Sequence, residues 1–136
     1  MQLQLKYDLP CVTVRIDYQG AHIDIPDVVV DTGSGSTLIA TEFAAQVGIM
    51  PLPQDKLRNV QGVGGIEAVF IRQMDRIQVG ERTLDRFEID VGSMDYGFAI
   101  NGLLGMNFLL QSGAVIDLQA LTIDFASQDN SLIYSE

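Results

Sequence analysis

The sequence predicts a mostly β domain with one or two short helices. Apolar and polar residues alternate in short runs, which is the periodicity of half-buried strands. Turn signals separate these runs at short intervals, as in sheets built from hairpins. With 136 residues, 47% of them hydrophobic, the chain is long enough to bury one core but not two. Residues 1–136 are therefore expected to form a single domain.

The first forty residues are predicted to contain five strands, at 3–7, 12–16, 21–25, 28–30 and 37–40. Gln19 and Gly20 form the turn that leads into the third of these strands. Pro26 is expected to end the third strand and to separate it from the fourth. The fourth strand consists of three valines, an unbroken apolar run that suits a strand buried on both faces.

Two short helices interrupt the remaining strands. Thr41 is expected to cap a helix over 42–47 that ends at Gly48, and a second helix over 106–112 is expected to end at Gly113. The other elements of this half are predicted as strands at 55–61 and 66–72, a hairpin over 77–84, and strands at 86–91, 114–117 and 121–125.

Composition excludes several classes of function. The net charge is −10 with only eight Lys and Arg, which argues against nucleic acid as a partner. His22 is the only histidine, so most histidine-dependent triads and zinc sites are excluded, and a strand position opposite Asp17 is expected for it. Cys11 is the only cysteine and is interpreted as a small core residue. No metal and no cofactor are expected.

No targeting or membrane segment is recognised. The first ten residues, MQLQLKYDLP, lack the long apolar stretch of a signal peptide. The most apolar window, 98–110, is too short and too rich in glycine to span a bilayer. We therefore expect a soluble, cytoplasmic protein without a membrane span.

Asp31 is the strongest candidate for a functional residue. It follows the three valines of a buried strand and precedes Thr32, Gly33 and Ser34. A carboxylate at that position costs free energy unless hydrogen-bond donors satisfy it. The amide of Gly33 and the hydroxyl of Ser34 are expected to be those donors. The alternative interpretation is a strand that simply ends in an Asx turn.

Three segments together resemble aspartic proteases of the retropepsin-like family, the single-domain retroviral type. VVVDTGSGSTL (28–38) resembles the catalytic strand and loop. NVQGVGGIEAVF (59–70) resembles the hairpin flap that closes over substrate, with Gly62, Val63, Gly64 and Gly65 at its tip. AINGLLGMNFL (99–109) is similar to the segment beneath the active-site loops, where Leu103, Leu104 and Gly105 would give structural support.

The resemblance covers residues 11–125 and implies a closed, barrel-like acid-protease fold in which Asp31 is catalytic and Thr32, Gly33 and Ser34 form the active-site loop. Two positions depart from the family pattern. Asn107 stands where an aspartate is common, and Ser34-Gly35-Ser36 replaces the Ala-Asp-Asp of retroviral enzymes. Both departures leave the substrate preference open.

The catalytic chemistry needs a second carboxyl group, and Asp-Thr-Gly occurs once in the chain. Asp90, Asp117 and Asp124 follow apolar residues without a glycine loop, so each is interpreted as an outward strand or turn residue. A two-fold homodimer would supply Asp31 twice, and the resemblance implies the same arrangement, with Thr32 hydrogen-bonded across the axis. The terminal segments 3–7 and 131–136 are candidate interface strands, or else ordinary edge strands and tails.

The predicted function is that of an aspartic endopeptidase that hydrolyses an extended polypeptide substrate with a carboxylate-activated water. The alternative is a catalytically inactive module of the same fold that dimerises or binds peptides. A third possibility is an enzyme that cleaves only its own precursor. Substrate pockets are expected to come from the flap, from 37–40 and from the segment around Tyr96 and Phe98. The apolar character of these segments indicates apolar side chains beside the scissile bond, and the need for one shared proton favours a mildly acidic pH optimum.

Overall fold

The computed structural model of the protein describes residues 1–62, 65–94 and 99–126, which contain ten strands and two short helices. In chain order the strands are β1 (Gln4–Lys6), β2 (Leu9–Tyr18), β3 (Ala21–Val30), β4 (Leu38–Ala40), β5 (Leu57–Gly62), β6 (Gly65–Val79), β7 (Arg82–Gly92), β8 (Gly102–Leu104), β9 (Ala114–Asp117) and β10 (Thr122–Phe125). The helices are α1 (Thr41–Gln46) and α2 (Met106–Ser112).

Eight of these strands form one sheet in the order β1-β2-β3-β8-β4-β7-β6-β5. An additional antiparallel pairing of β2 with β6 closes six of them, from β2 round to β6, into a barrel. Two contacts in the sheet are parallel, β3 with β8 and β4 with β7. The remaining strands, β9 and β10, form a separate antiparallel pair. The predicted mostly β, barrel-like fold with two short helices is confirmed.

The core lies inside the barrel and continues beneath α2. Val14 and Ile16 of β2 are fully buried, as the alternating pattern of that strand predicts. Phe108 of α2 is also fully buried and makes edge-to-face contacts with Phe87 and Phe125, with ring centroids 5.9 Å and 6.1 Å apart. Burial of one such side chain stabilises the fold by about 1.5–3 kcal/mol. Phe108 thereby attaches α2 to both the barrel and the β9–β10 pair.

The expectation that Pro26 ends a strand is wrong, because β3 runs without interruption from Ala21 to Val30. The register between β2 and β3 shifts at this point, so that Thr13 of β2 stands opposite both Pro26 and Asp27. A β-bulge of this kind accommodates a proline, which has no amide hydrogen to donate to the ladder. Asp27, within the bulge, has a left-handed backbone conformation with a φ of 58°.

The two helices begin and end as follows. Thr41 is the first residue of α1 and not its cap; the capping residue is Ala40, whose side chain makes no capping hydrogen bond. The chain passes directly from β4 into α1, which leaves no separate residue for a polar cap. Both helices end at the predicted glycines: Gly48 has a φ of 86°, and Gly113 has the left-handed conformation with a φ of 65°.

The strands of the β6–β7 hairpin are longer than predicted. Residues 66–72 and the first half of the predicted hairpin over 77–84 belong to one 15-residue strand, and its second half joins 86–91 in β7. The turn between them lies at Gly80 and Glu81, inside the predicted hairpin. Pairing with β7 at positions 73, 74 and 76 keeps the segment 73–76 in the strand, although its sequence alone does not favour a strand.

The residues that occur once in the chain lie where the pattern placed them. Cys11 is buried, and His22 is exposed opposite Asp17 in the β2–β3 pairing. Of the candidate interface strands, the segment 3–7 contains β1 at one edge of the sheet, and 131–136 lies outside the described residues. Among the helices described, neither is long and apolar enough to cross a membrane.

Candidate active site

Asp31 lies immediately after β3, where that strand runs parallel to β8. Its backbone amide donates a hydrogen bond to the carbonyl oxygen of Leu104, 2.9 Å away. The amide of Gly33 donates to the Oδ1 atom of the Asp31 carboxylate at 2.9 Å, and the amide of Ser34 donates to the Asp31 carbonyl oxygen at 3.2 Å. The side chain is half-buried. Asp31 is thus held both through its main chain and through one carboxylate oxygen.

The Ser34 hydroxyl does not serve the carboxylate as expected. Its Oγ atom donates to the carbonyl oxygen of Ser36 at 2.7 Å, and a hydroxyl has only one hydrogen to donate. Because residues 31–34 turn tightly, this hydroxyl bonds within the loop. Thr32 and Gly33 are exposed at the tip. Ser34 therefore stabilises the loop itself, and among these residues the Gly33 amide is the donor to the carboxylate.

The support segment, which consists of Leu103, Leu104 and Gly105, lies directly beneath this loop. Leu103 of β8 stands opposite Val29 of β3 on one side and Leu38 of β4 on the other. Leu104 is fully buried. A β-carbon added to Gly105 would lie 2.5 Å from the carbonyl carbon of Ser36, so the loop and this segment approach as closely as backbone allows. β8 and Gly105 therefore form the floor on which the Asp31 loop rests.

The start of α2 fixes the carbonyl groups of the same loop. The amide of Met106 donates to the Ser34 carbonyl oxygen at 2.8 Å, and the amide of Asn107 donates to the Gly35 carbonyl oxygen at 3.2 Å. The first amides of a helix have no partner within the helix itself. Here they satisfy loop carbonyls instead, which makes the helix start part of the support of the site.

Thr37 and Asn107 form a buried polar contact that the sequence reasoning missed. The Thr37 hydroxyl, which is fully buried, donates to Asn107 Oδ1 at 2.8 Å and accepts from the Gly105 amide at 3.1 Å. The same Asn107 oxygen accepts from the amide of Phe108 at 2.9 Å. The signal was available, because Thr37 begins an otherwise apolar run and a buried hydroxyl needs a partner. Asn107 therefore ties α2 to the end of the Asp31 loop.

The interpretation of Asp90 as an outward residue is wrong. Asp90 in β7 is only 2% exposed, and its Oδ2 atom accepts a hydrogen bond from the Ser36 hydroxyl at 2.6 Å. Alternation correctly places Asp90 on the face opposite Ile89 and Val91, but that face is covered by the Asp31 loop and is not open to solvent. Arg58 Nη1 is 3.7 Å from the same carboxylate oxygen.

The other two carboxylates lie where expected. Asp117 accepts hydrogen bonds from the amides of Gln119 and Ala120, at 2.9 Å and 3.0 Å, and so holds the turn between β9 and β10. The Asp124 side chain is 70% exposed and lies 3.0 Å from the N-terminal ammonium group of Met1. Both are surface residues with local structural roles.

A pocket of about 280 Å³ opens beside Asp31. Six apolar residues line it together with the carboxylate: Leu9, Pro10, Val29, Val30, Ile100 and Leu103. The residues 37–40, which were expected to line a pocket, are buried, while Tyr96 and Phe98 lie outside the described residues. In the parts of the chain that the structure describes, no group of three or more His, Cys, Asp and Glu side chains is arranged to hold a metal ion.

The predicted flap corresponds to the hairpin of β5 and β6. The two strands pair in antiparallel register along β5, and Gly62 stands opposite Gly65 at the end of the described pairing. Val63 and Gly64 of the predicted tip lie outside the described residues. Closure over substrate stays a prediction.

A match to a known family covers the Asp31 loop and the segments that contact it. A family model described as "gag-polyprotein putative aspartyl protease" matches residues 16–111, which is more than half of the chain. The chain belongs to this family. The matched residues include the Asp31 loop, the β5–β6 hairpin and the support segment, and the predicted membership of a retropepsin-like family is confirmed. A search of curated proteins found no match.

Proposed function

We propose that the chain is an aspartic endopeptidase whose active site combines Asp31 from two copies. The observation that carries the proposal is the Asp31 carboxylate itself, which is held by the Gly33 amide at 2.9 Å and faces an apolar pocket. Membership of the gag-polyprotein protease family supports the same chemistry. Thr32, exposed beside Asp31, is then available for contact with the second copy.

The proposed reaction uses water and two carboxyl groups. Two carboxylates that lie close together cannot both ionise easily, so one copy of Asp31 keeps a proton while the other is ionised. The ionised group takes a proton from water as its oxygen attacks the peptide carbonyl carbon, and the protonated group donates its proton to the carbonyl oxygen. The carboxyl group that took the proton from water then donates it to the nitrogen, while the other carboxylate takes a proton from one diol hydroxyl. The C–N bond breaks, which gives a carboxylic acid and an amine and restores one protonated and one ionised carboxyl group. The reaction forms no acyl-enzyme.

The proposed substrate is an extended polypeptide with an apolar side chain beside the scissile bond. The pocket next to Asp31 holds about 280 Å³ and, apart from Asp31, is lined by apolar residues. An apolar side chain would bury its surface there, while main-chain hydrogen bonds would hold the peptide between the β5–β6 hairpin and the Asp31 loops. Ordering of the hairpin over the peptide would exclude water from the site.

The test is cleavage of a mixed peptide library at several pH values by the wild type and by Asp31→Asn. Asp24→Asn is the matched control, because Asp24 is an exposed carboxylate of β3, the strand that leads to Asp31. We expect cleavage by the wild type and by Asp24→Asn, and none by Asp31→Asn, with a dimer in all three cases by light scattering.

Cleavage that persists in Asp31→Asn would refute the assignment of Asp31. A stable wild-type dimer that cleaves nothing but binds library peptides would instead support the non-catalytic peptide-binding module.

A further inference from the structure

The buried carboxylate of Asp90 has no part in the proposed reaction, yet it contacts two segments: the Asp31 loop and β5. Its side chain is 3% exposed. It accepts the hydrogen bond of the Ser36 hydroxyl at 2.6 Å, and Ser36 belongs to the loop that carries Asp31. It also lies 3.7 Å from Arg58 of β5, which is the first strand of the predicted flap. Its backbone amide donates to the carbonyl oxygen of Thr37 at 2.8 Å.

In the described parts of the chain, the two segments are held by different neighbours. Within the described residues, β5 pairs only with β6 and forms one edge of the sheet. The Asp31 loop is held from the opposite side, by the Leu104 carbonyl, the Gly105 segment and the first amides of α2. Asp90 lies on β7 and contacts both the Asp31 loop and β5. Its carboxylate is therefore the point at which the loop and the flap strand share one partner.

We propose that Asp90 is a positioning residue that couples the flap strand β5 to the Asp31 loop through Arg58 and Ser36. A buried carboxylate is costly unless charge and hydrogen bonds compensate it. Arg58 supplies the charge, and the Ser36 hydroxyl supplies the hydrogen bond. Loss of one partner leaves the carboxylate poorly compensated and weakens its hold on the other partner as well. A displacement of the flap strand is thereby transmitted to the loop that orients Asp31.

The coupling is moderate because Arg58 remains 47% exposed. An ion pair with one solvated partner contributes less than a fully buried pair. A moderate tie suits a flap that has to move when a peptide enters and leaves, since a strong ion pair would hold the flap strand closed. Any consequence for catalysis rests on the proposed function, whereas the coupling itself can be measured in a protein that cleaves nothing.

The experiment compares Arg58→Gln, Ser36→Ala and the double variant with the wild type. Arg76→Gln is the matched control: Arg76 forms an ion pair with Asp85 at 2.9 Å on the same β6–β7 hairpin, but both side chains are at least half exposed. Asp90→Asn is a further variant, because an amide oxygen still accepts the Ser36 hydrogen bond while the charge that attracts Arg58 is gone. Backbone hydrogen exchange of residues 31–37 and 57–62 is the first measurement.

We expect Arg58→Gln to raise exchange not only in 57–62 but also in 31–37, by about twofold to fivefold, the range that a partly exposed ion pair supports. Ser36→Ala is expected to raise exchange in 57–62 as well as in its own loop. The double variant should change less than the two single changes combined, because both act through one carboxylate. Asp90→Asn should resemble Arg58→Gln, and Arg76→Gln should change neither segment.

Exchange that rises only in the segment carrying each substitution would overturn the coupling. Exchange that rises uniformly, including in β2 and β3, would show that Asp90 stabilises the fold as a whole, and this result would also overturn the proposed coupling.

Kinetics then separate this proposal from the proposed function. If the wild type cleaves peptides, Arg58→Gln is expected to raise KM more than it lowers kcat, because the peptide is held between the two coupled segments. An unchanged KM together with spreading exchange would refute the positioning role. Cleavage that survives Asp31→Asn would refute the proposed function, while the exchange data would still decide the coupling.

Discussion

Replacement of Gly105 by alanine is expected to displace the Asp31 loop. Gly105 has a φ of −96° and a ψ of −176°, a conformation that alanine adopts without strain, so the penalty is purely steric. The new β-carbon would lie 2.5 Å from the Ser36 carbonyl carbon and 2.9 Å from the Ser34 carbonyl oxygen, and it would be closer still to the Ser36 oxygen. All three are backbone atoms, which cannot rotate away as a side chain can.

The size of the effect follows from this geometry. Ordinary contacts of a β-carbon begin at about 3.4 Å, so the loop must retreat by about 1 Å. Overpacking of this kind costs about 1–3 kcal/mol, and an immovable backbone favours the upper end. For 136 residues the unfolding entropy is about 0.29 kcal/mol/K, so 3 kcal/mol corresponds to a decrease of about 10 °C in Tm. If the chain cleaves peptides as proposed, the rate should fall by about 100-fold, which is the effect of about 1 Å of misplacement at an active site.

The assay is thermal unfolding by circular dichroism at one fixed protein concentration for all variants, because association makes Tm depend on concentration. Gly35→Ala is the matched control, because a β-carbon at that position of the same loop meets nothing within 4 Å. We expect the control to keep the wild-type Tm to within about 2 °C. Equal Tm values for Gly105→Ala and Gly35→Ala would refute the argument that β8 and Gly105 form a rigid floor beneath the loop.

Three other substitutions test individual contacts of the fold. Burial raises the pKa of the Asp55 carboxyl, but a backbone amide and Arg72 outweigh it, so the pKa lies below the usual 3.8. The ion pair of Asp55 with Arg72 therefore stabilises the fold above about pH 4, and this stabilisation is lost as the pH falls through the lowered pKa of Asp55. When the pH is lowered from about 6 to about 2, the Tm of the wild type should fall by more than the Tm of Asp55→Asn. Thr37→Val removes one of the two donors to Asn107 Oδ1 and takes away the acceptor of the buried Gly105 amide, so it should cost about 1–3 kcal/mol in urea unfolding. Phe108→Ala should cost about 3–5 kcal/mol in the same assay.

Each of these three predictions has a control variant or an outcome that would contradict it. Parallel pH curves for the wild type and Asp55→Asn would show that the ion pair contributes nothing to acid sensitivity. Thr37→Ser keeps the hydroxyl and should retain most of the wild-type stability; a loss equal to that of Thr37→Val would point to the missing methyl group instead. Phe108→Leu should cost clearly less than Phe108→Ala if the loss arises from a cavity.

Local features of the fold were predictable from sequence. Strand periodicity, the turn after Tyr18 and the helix ends at Gly48 and Gly113 all depend on residues a few positions apart. The three motifs around Asp31, Gly62 and Gly105 are recognisable because each is a short segment whose residues resemble the family pattern. Short-range patterns thus placed the elements and the candidate carboxylate.

Contacts between distant parts of the chain were not predictable in the same way. Asp90 has the alternation of an outward residue, and only the loop that folds over it makes its position a buried one. Thr37 and Asn107 are separated by 70 positions, so nothing in either segment names the other as its partner. The local preference of Pro26 predicts a strand end, whereas the bulge that accommodates this proline depends on pairing with β2.

The parallel pairing of β3 with β8 also determines when the site can exist during folding. Val28 pairs with Gly102, 74 positions later in the chain (102 minus 28), and the intervening residues form four other strands and a helix. Closing so long a loop carries an entropic cost that has to be met before the contact returns any stabilisation, and folds rich in such contacts form slowly. On the ribosome, the Asp31 loop would remain without its floor until α2 has emerged, so the candidate active site assembles among the last parts of the fold.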